Sequence, residues 1–197
     1  MLGWWLLLLA AAPPALAAGA PRAPVVALHE ALLGIMREAA TLGFEGRRAR
    51  IAPVLERSFD LPFITRLVLG RHWSGLDAAA RQRLVAAFSA LTAATYAARF
   101  DGYAGERFEV LEERPLKRGR RLVRSVLIGG DGTRVRLDYV VREGAEGWRI
   151  VNVLADGVSE LAIKRADYDK VMRSEGVDAL IARIVAQTEG YARRSER

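Results

Sequence analysis

Apolar and polar positions along this chain change rhythm twice. From Val25 to Leu42 apolar residues recur at helical spacing (Val25, Leu28, Leu32, Ile35, Met36, Ala39) and Gly43 closes the run, which predicts one amphipathic helix. Segments 46–57 and 60–70 read as two shorter helices, each with a proline placed early, Pro53 and Pro62. Ser74 and Asp77 have the spacing of a capping box ahead of the longest periodic segment. There Leu84, Phe88, Leu91 and Thr95 adjoin a second stripe of Val85, Thr92, Tyr96 and Phe100, so one helix is expected from about Asp77 to Phe100.

After Asp101-Gly102 the period falls to two. Segments 106–114, 120–129, 134–143 and 148–155 read as four strands, and the short loops between them make neighbours antiparallel. In the third, Val135, Leu137, Tyr139 and Val141 share a face opposite Arg134, Arg136, Asp138 and Arg142. The fourth is apolar on both faces, with Trp148, Ile150 and Leu154 alternating with Val151 and Val153, as in a central or doubly covered strand. A tight Asp156-Gly157 turn then drops into a helix from Ser159 to about Glu175. Gly176 separates it from a last helix, Val177 to about Tyr191, and 193–197 reads as a disordered tail. Helices, an antiparallel meander, then helices again make an α+β layout in which a curved sheet with helices across its concave face can enclose a cavity.

The first eighteen residues stand apart. Trp4, Trp5 and Leu6 to Leu9, followed by small residues and Ala15-Leu16-Ala17, read as a secretory signal with an A-x-A cleavage site, although no Lys or Arg precedes Trp4. The apolar run is shorter than the roughly 20 residues that span a bilayer. Residues 19–192 then form one domain, ordinary in size for a chain of 197 residues that is 51% hydrophobic. Export would permit disulfides, yet there is no cysteine, so packing alone must hold the fold. The formal charge of +7 falls wholly after residue 18. An exported protein rarely meets nucleic acid, which leaves anionic membrane surfaces as the acidic partner.

Candidate chemistry is sparse. His29 and His72 lie in different helical segments without metal-ligand spacing, and each reads as a surface or helix-end residue. Gly157-Val158-Ser159 resembles the start of a nucleophile elbow, but position 161 is Leu and both histidines lie upstream, so Ser159 is a helix cap. No phosphate loop or dinucleotide fingerprint is present, and no cofactor or metal is implied. Glu112-Glu113 and Asp167 with Asp169 fall on solvated segments. Arg114, Lys117, Arg118, Arg120, Arg121 and Arg124 put six cations into eleven residues around one hairpin, a docking surface for anionic headgroups or an acidic partner.

Phe59-Asp60, Arg66, Leu69-Gly70 and Trp73, the long helix with Phe88, Leu91 and Tyr96, then Tyr103 and Gly105, and finally Trp148-Arg149-Ile150 and Asp156-Gly157-Val158-Ser159 resemble the pattern of the MlaC family. These are periplasmic phospholipid carriers, also called toluene-tolerance proteins. Within that family the C-terminal half is most similar to the hopanoid-biosynthesis-associated branch, HpnM. The phospholipid carriers tend to show Asn-x-Tyr-Arg where this chain has Ile163-Lys164-Arg165-Ala166-Asp167-Tyr168. The resemblance implies a nuclear-transport-factor-like fold, four antiparallel strands curved against N- and C-terminal helices around a lipid cavity. It also implies no enzymatic activity, a partner transporter in the inner membrane, and movement of a hopanoid or phospholipid between inner and outer membranes. Candidates for the cavity lining, from the inward stripes, are Phe63, Leu67, Trp73, Phe88, Tyr96, Phe100, Tyr139, Val151 and Val153. Two alternatives stay open: a small-molecule enzyme of the same fold, for which Asp138 and Asn152 are the polar groups on inner strands, and an adaptor that binds transporter proteins without carrying cargo.

Overall fold

A computed structural model describes residues 19–195. Helices α1 (Ala23–Arg37), α2 (Ala39–Ser58) and α3 (Leu61–Leu69), a 3₁₀ helix (Gly70–Gly75) and α4 (Ala78–Arg99) precede the sheet. Strands β1 (Arg107–Pro115), β2 (Arg120–Ile128), β3 (Arg134–Gly144), β4 (Gly147–Ala155) and β5 (Val158–Ser159) follow, then α5 (Glu160–Ser174) and α6 (Gly176–Ser195). The expected signal segment lies outside the described residues. The last helix runs to Ser195, so Arg193–Ser195 of the expected disordered tail are helical.

The sheet is a five-stranded antiparallel meander in the order β1-β2-β3-β4-β5, one strand more than the sequence pattern suggests. The extra strand comes from the Asp156-Gly157 turn. Both residues have positive φ, +49° and +85°, as a two-residue hairpin turn requires, so the chain doubles back and pairs Leu154 with Ser159 before the helix starts. Asp156 also extends the β3–β4 ladder, its N–H donating to Arg136 O and its side chain accepting from Arg136 N, both at 2.9 Å.

The first helical run divides earlier than its periodicity predicts. It breaks at Glu38, not at Gly43, and Gly43 becomes a kink inside α2 with φ +57° and ψ −172°. Such a kink frees carbonyls in the turn before it. The buried guanidinium of Arg47 satisfies one of them, donating to Ala39 O at 3.1 Å, and also reaches Ala97 O of α4 at 3.0 Å. Because α2 starts at Ala39, Pro53 sits well inside it, whereas Pro62 does occupy the first turn of α3. The cap of α4 is Asp77, which accepts from Ala80 N at 2.7 Å; Ser74 is not a cap but donates to Arg71 O within the 3₁₀ helix.

One face of the sheet meets the helices. Val123, Tyr139, Val141 and Ile150 pack there against Leu28, Leu32 and Ile35 of α1, Leu55 of α2, Leu84, Phe88 and Leu91 of α4, and Leu180 and Ile184 of α6, all nearly inaccessible to water. Strand β4 is an interior strand of the sheet, paired with β3 on one side and with β5 on the other. Beyond the two-residue β5, its free edge is met by the α2–α3 junction, where Phe59 bridges Ile150 and Asp60 N donates to Ile150 O at 3.0 Å. Its apolar second face has a local cause: the register slips between Val140 and Val141, so Val151 is an extra residue that bends the strand. Ile150 and Val151 are consequently both buried.

Candidate functional site

Between the sheet and α3, α4 and α5 lies an apolar cavity of about 160 Å³. Its walls are Leu61, Ile64 and Val68 of α3; Phe88, Thr92, Thr95 and Tyr96 of α4, then Phe100; Leu137 and Tyr139 of β3; and Val151, Asn152, Val153 and Ala155 around the β4 bulge. Leu32, Phe59 and Leu161 complete it. The hydroxyls of Thr92 and Thr95 donate to the carbonyls four residues back, Phe88 O and Leu91 O, each at 2.8 Å, so both are satisfied within their own helix.

Aromatic rings make a continuous band along one side. Phe59 meets Tyr96 edge-on at 5.9 Å, Tyr96 stacks with Phe100 at 5.9 Å one turn on, Phe100 meets Phe108 at 6.4 Å, and Phe108 stacks on His29 at 4.2 Å. His29 is therefore a core residue rather than a surface or helix-end one: it is 5% exposed, and burial lowers its pKa to about 4. Burial likewise raises the pKa of the Tyr96 and Tyr139 hydroxyls above the ordinary tyrosine value. The charged groups bordering the cavity lie at one end. There Arg99 at the end of α4 pairs with Glu160 at the start of α5 at 2.8 Å, with Lys164 one turn further along α5.

Of the nine residues expected on inward stripes, Phe88, Tyr96, Phe100, Tyr139, Val151 and Val153 stand in these walls. Phe63, Leu67 and Trp73 do not. Helix α3 turns Leu61, Ile64 and Val68 to the cavity, while Phe63 lies under the Arg142 guanidinium at 4.1 Å and Trp73 under that of Arg81 at 5.4 Å. Two apolar stripes run along α3, and spacing alone does not say which faces inward. Leu32, Phe59 and Leu161 come from separate elements that only the tertiary fold gathers.

The basic hairpin is partly neutralised. Arg121 pairs with Glu113 at 2.7 Å, and Arg124 pairs with Glu112 at 2.7 Å and with Asp138 at 2.9 Å; the last two contacts raise its pKa further. Arg114, Lys117, Arg118 and Arg120 make no ion pair among the described residues. Asp138 is thus committed to Arg124 and, at 3.6 Å, to Arg136, on the sheet face away from the cavity. Asn152 does border the cavity, its Oδ1 accepting from the Ser159 hydroxyl at 3.2 Å; that hydroxyl also caps α5 by accepting from Ala162 N. Asp169 is not a free surface acid, since Arg71, His72 and Arg173 all reach it. Among the described residues no three His, Cys, Asp or Glu side chains gather as metal ligands do, and no helix is long and apolar enough to cross a membrane.

A family model described as MlaC protein matches residues 27–186, most of the chain. The chain belongs to the MlaC family. Its fold matches a solved structure described as the phospholipid-binding protein from Ralstonia solanacearum in complex with a phospholipid. That match has a TM-score of 0.77 and 19% sequence identity, and it covers 87% of this chain and 98% of the other. The antiparallel sheet packed against helices is thus the fold of that solved structure, with five strands where the sequence suggested four.

Proposed function

We propose that this MlaC-family chain is a periplasmic lipid carrier, which takes up the hydrocarbon of a hopanoid or phospholipid between sheet and helices and shuttles it between inner and outer membranes. The observation that carries this reading is the cavity itself, walled almost entirely by aliphatic and aromatic side chains and bordered at one end by Arg99, Glu160 and Lys164. Each methylene moved out of water contributes about 0.8 kcal/mol, so a chain of roughly 16 carbons would gain on the order of 13 kcal/mol from such a site. The polar head would stay at the charged end. Phe88, Tyr96, Phe100, Tyr139, Val151 and Val153, together with the α3 residues Leu61, Ile64 and Val68, are the proposed contacts.

Size adds a mechanical requirement. A dry engineered cavity of about 150 Å³ holds a benzene ring, so 160 Å³ is far too little for a whole acyl chain. Loading must therefore spread the walls. Helix α3 is the wall placed to move, because open pockets of about 540 and 410 Å³ flank it on its α5 side and between α2 and α4. The proposed partners are an inner-membrane transporter complex, an outer-membrane acceptor and, through Arg114, Lys117, Arg118 and Arg120, an anionic membrane surface. Organic extraction of the purified exported protein followed by mass spectrometry tests the reading. About one lipid per chain is expected; extracts without lipid, from protein that also takes up none from vesicles, would overturn it.

A further inference from the structure

Outside the lipid cavity, three arginines crowd one pocket that holds a single acid. The pocket, about 540 Å³ and open to solvent, lies where α3 and the 3₁₀ helix meet α5; Val68 and Leu69 form its floor with two alanines of α5, and Arg71, Arg165, Arg173 and Asp169 form its rim. Asp169 is already shared. Its carboxylate accepts from His72 Nε2 at 2.8 Å and from Arg71 at 3.2 Å, and pairs with Arg173 at 3.3 Å. The His72 hydrogen bond, with the charges of Arg173 and Arg71, holds that carboxyl below the usual range.

Arg165 is different: it makes no ion pair among the described residues. Its guanidinium lies against the backbone at Gly70, where a β-carbon would stand 3.1 Å from Nη2 and where φ is +53°. A β-carbon there would press the guanidinium aside by a few tenths of an ångström, and the positive φ favours glycine. Arg165 therefore stands exposed at the rim, without a side-chain hydrogen bond or ion pair to protein among the described residues.

We infer that this pocket binds a phosphate group, with Arg165 as its principal donor and Arg71 and Arg173 turning from Asp169 to share it. Planar guanidinium forks match phosphate oxygens, and three of them against one carboxylate leave the rim with two positive charges in excess. The apolar floor suits the carbon skeleton that adjoins a phosphate ester. Free phosphate and a lipid headgroup share this chemistry. Val68 walls both this pocket and the lipid cavity, so a phospholipid head held here would sit one side chain away from the cavity. The inference stands apart from the carrier reading, since a chain that carried no lipid would still show the binding.

The test titrates the exported protein, in Hepes at low ionic strength, with inorganic phosphate and separately with dihexanoyl phosphatidic acid below its micelle concentration. The ring resonances of His72 report the site, and the buried His29 serves as internal reference. A saturable His72 shift is expected, weakened about tenfold by Arg165→Gln and strengthened several-fold by Asp169→Asn, which removes the competing acid without changing shape. Strengthening separates a ligand site from an ion-pair network that only braces α5, since such a network would gain no affinity on losing its acid. Saturation by inorganic phosphate identifies the free ion as sufficient; saturation by phosphatidic acid alone identifies the headgroup. No saturation by either probe, an unchanged affinity in Arg165→Gln, or an equal shift from chloride overturns the inference.

Discussion

His29 Nε2 lies 3.1 Å from the Tyr139 hydroxyl, joining the first helix to the third strand behind the cavity wall. The pair ties stability to pH. The imidazole titrates near 6.5 in an unfolded chain and near 4 in the fold, so between those values the unfolded state binds more protons and stability falls as pH falls. The full contribution is present above about pH 6.5, and ~3 kcal/mol is lost by pH 4. Thermal melts of His29→Gln, which keeps a polar partner for Tyr139 but does not titrate, should show a flatter dependence over that range than the parent. Parallel curves would show that other groups set the acid sensitivity.

Asp60 caps α3 and fastens it to two strands of the sheet. Its side chain accepts from Phe63 N at 3.1 Å and pairs with Arg142, while its own N–H donates to Ile150 O. Asp60→Ala should cost about 1–2 kcal/mol in urea denaturation through loss of the cap alone, with a further loss from the unpaired Arg142. Asp60→Asn, which keeps a capping oxygen, should recover most of the first part.

Arg114, Lys117, Arg118 and Arg120 should account for attraction to anionic vesicles, while Arg121 and Arg124 act within the sheet. Replacing the first four by Ser should lower vesicle binding and flatten its salt dependence with little change in melting temperature. Replacing Arg121 and Arg124 should lower the melting temperature, because Glu113, Glu112 and the nearly buried Asp138 lose their partners. Reversal of those two results would put the docking charges in the wrong place.

The split in that hairpin shows what a sequence can and cannot display. The six cations are visible along the chain, but the acids that neutralise two of them come from neighbouring strands and depend on register. The strands themselves were legible, because alternation and Asp-Gly turns are local signals. The break at Glu38 was not: apolar spacing continues through it, and the kink at Gly43 is supported by Arg47, whose second contact lies on a helix fifty residues on. In the cavity, Phe88, Tyr96 and Tyr139 could be read from single-element periodicity. Leu61, Ile64 and Val68 required knowing how α3 is rolled against the sheet, which Asp60 and Ile150 decide.

The widening required of the cavity gives the last expectation. Val153 borders the cavity and is only half-buried, so Val153→Trp can place bulk into the space without opening the core around Val123 and Ile150. Copurified lipid should fall several-fold in that variant while its circular dichroism matches the parent. Phe63→Ala, on the stripe of α3 turned away from the cavity, should leave loading unchanged and cost stability through the lost Arg142 contact. Hydrogen exchange compared between loaded and extracted protein should place the largest change in α3 and the start of α5, the elements that must part for a chain to enter. If Val153→Trp loads normally and exchange in α3 is indifferent to lipid, the hydrocarbon lies somewhere other than this cavity.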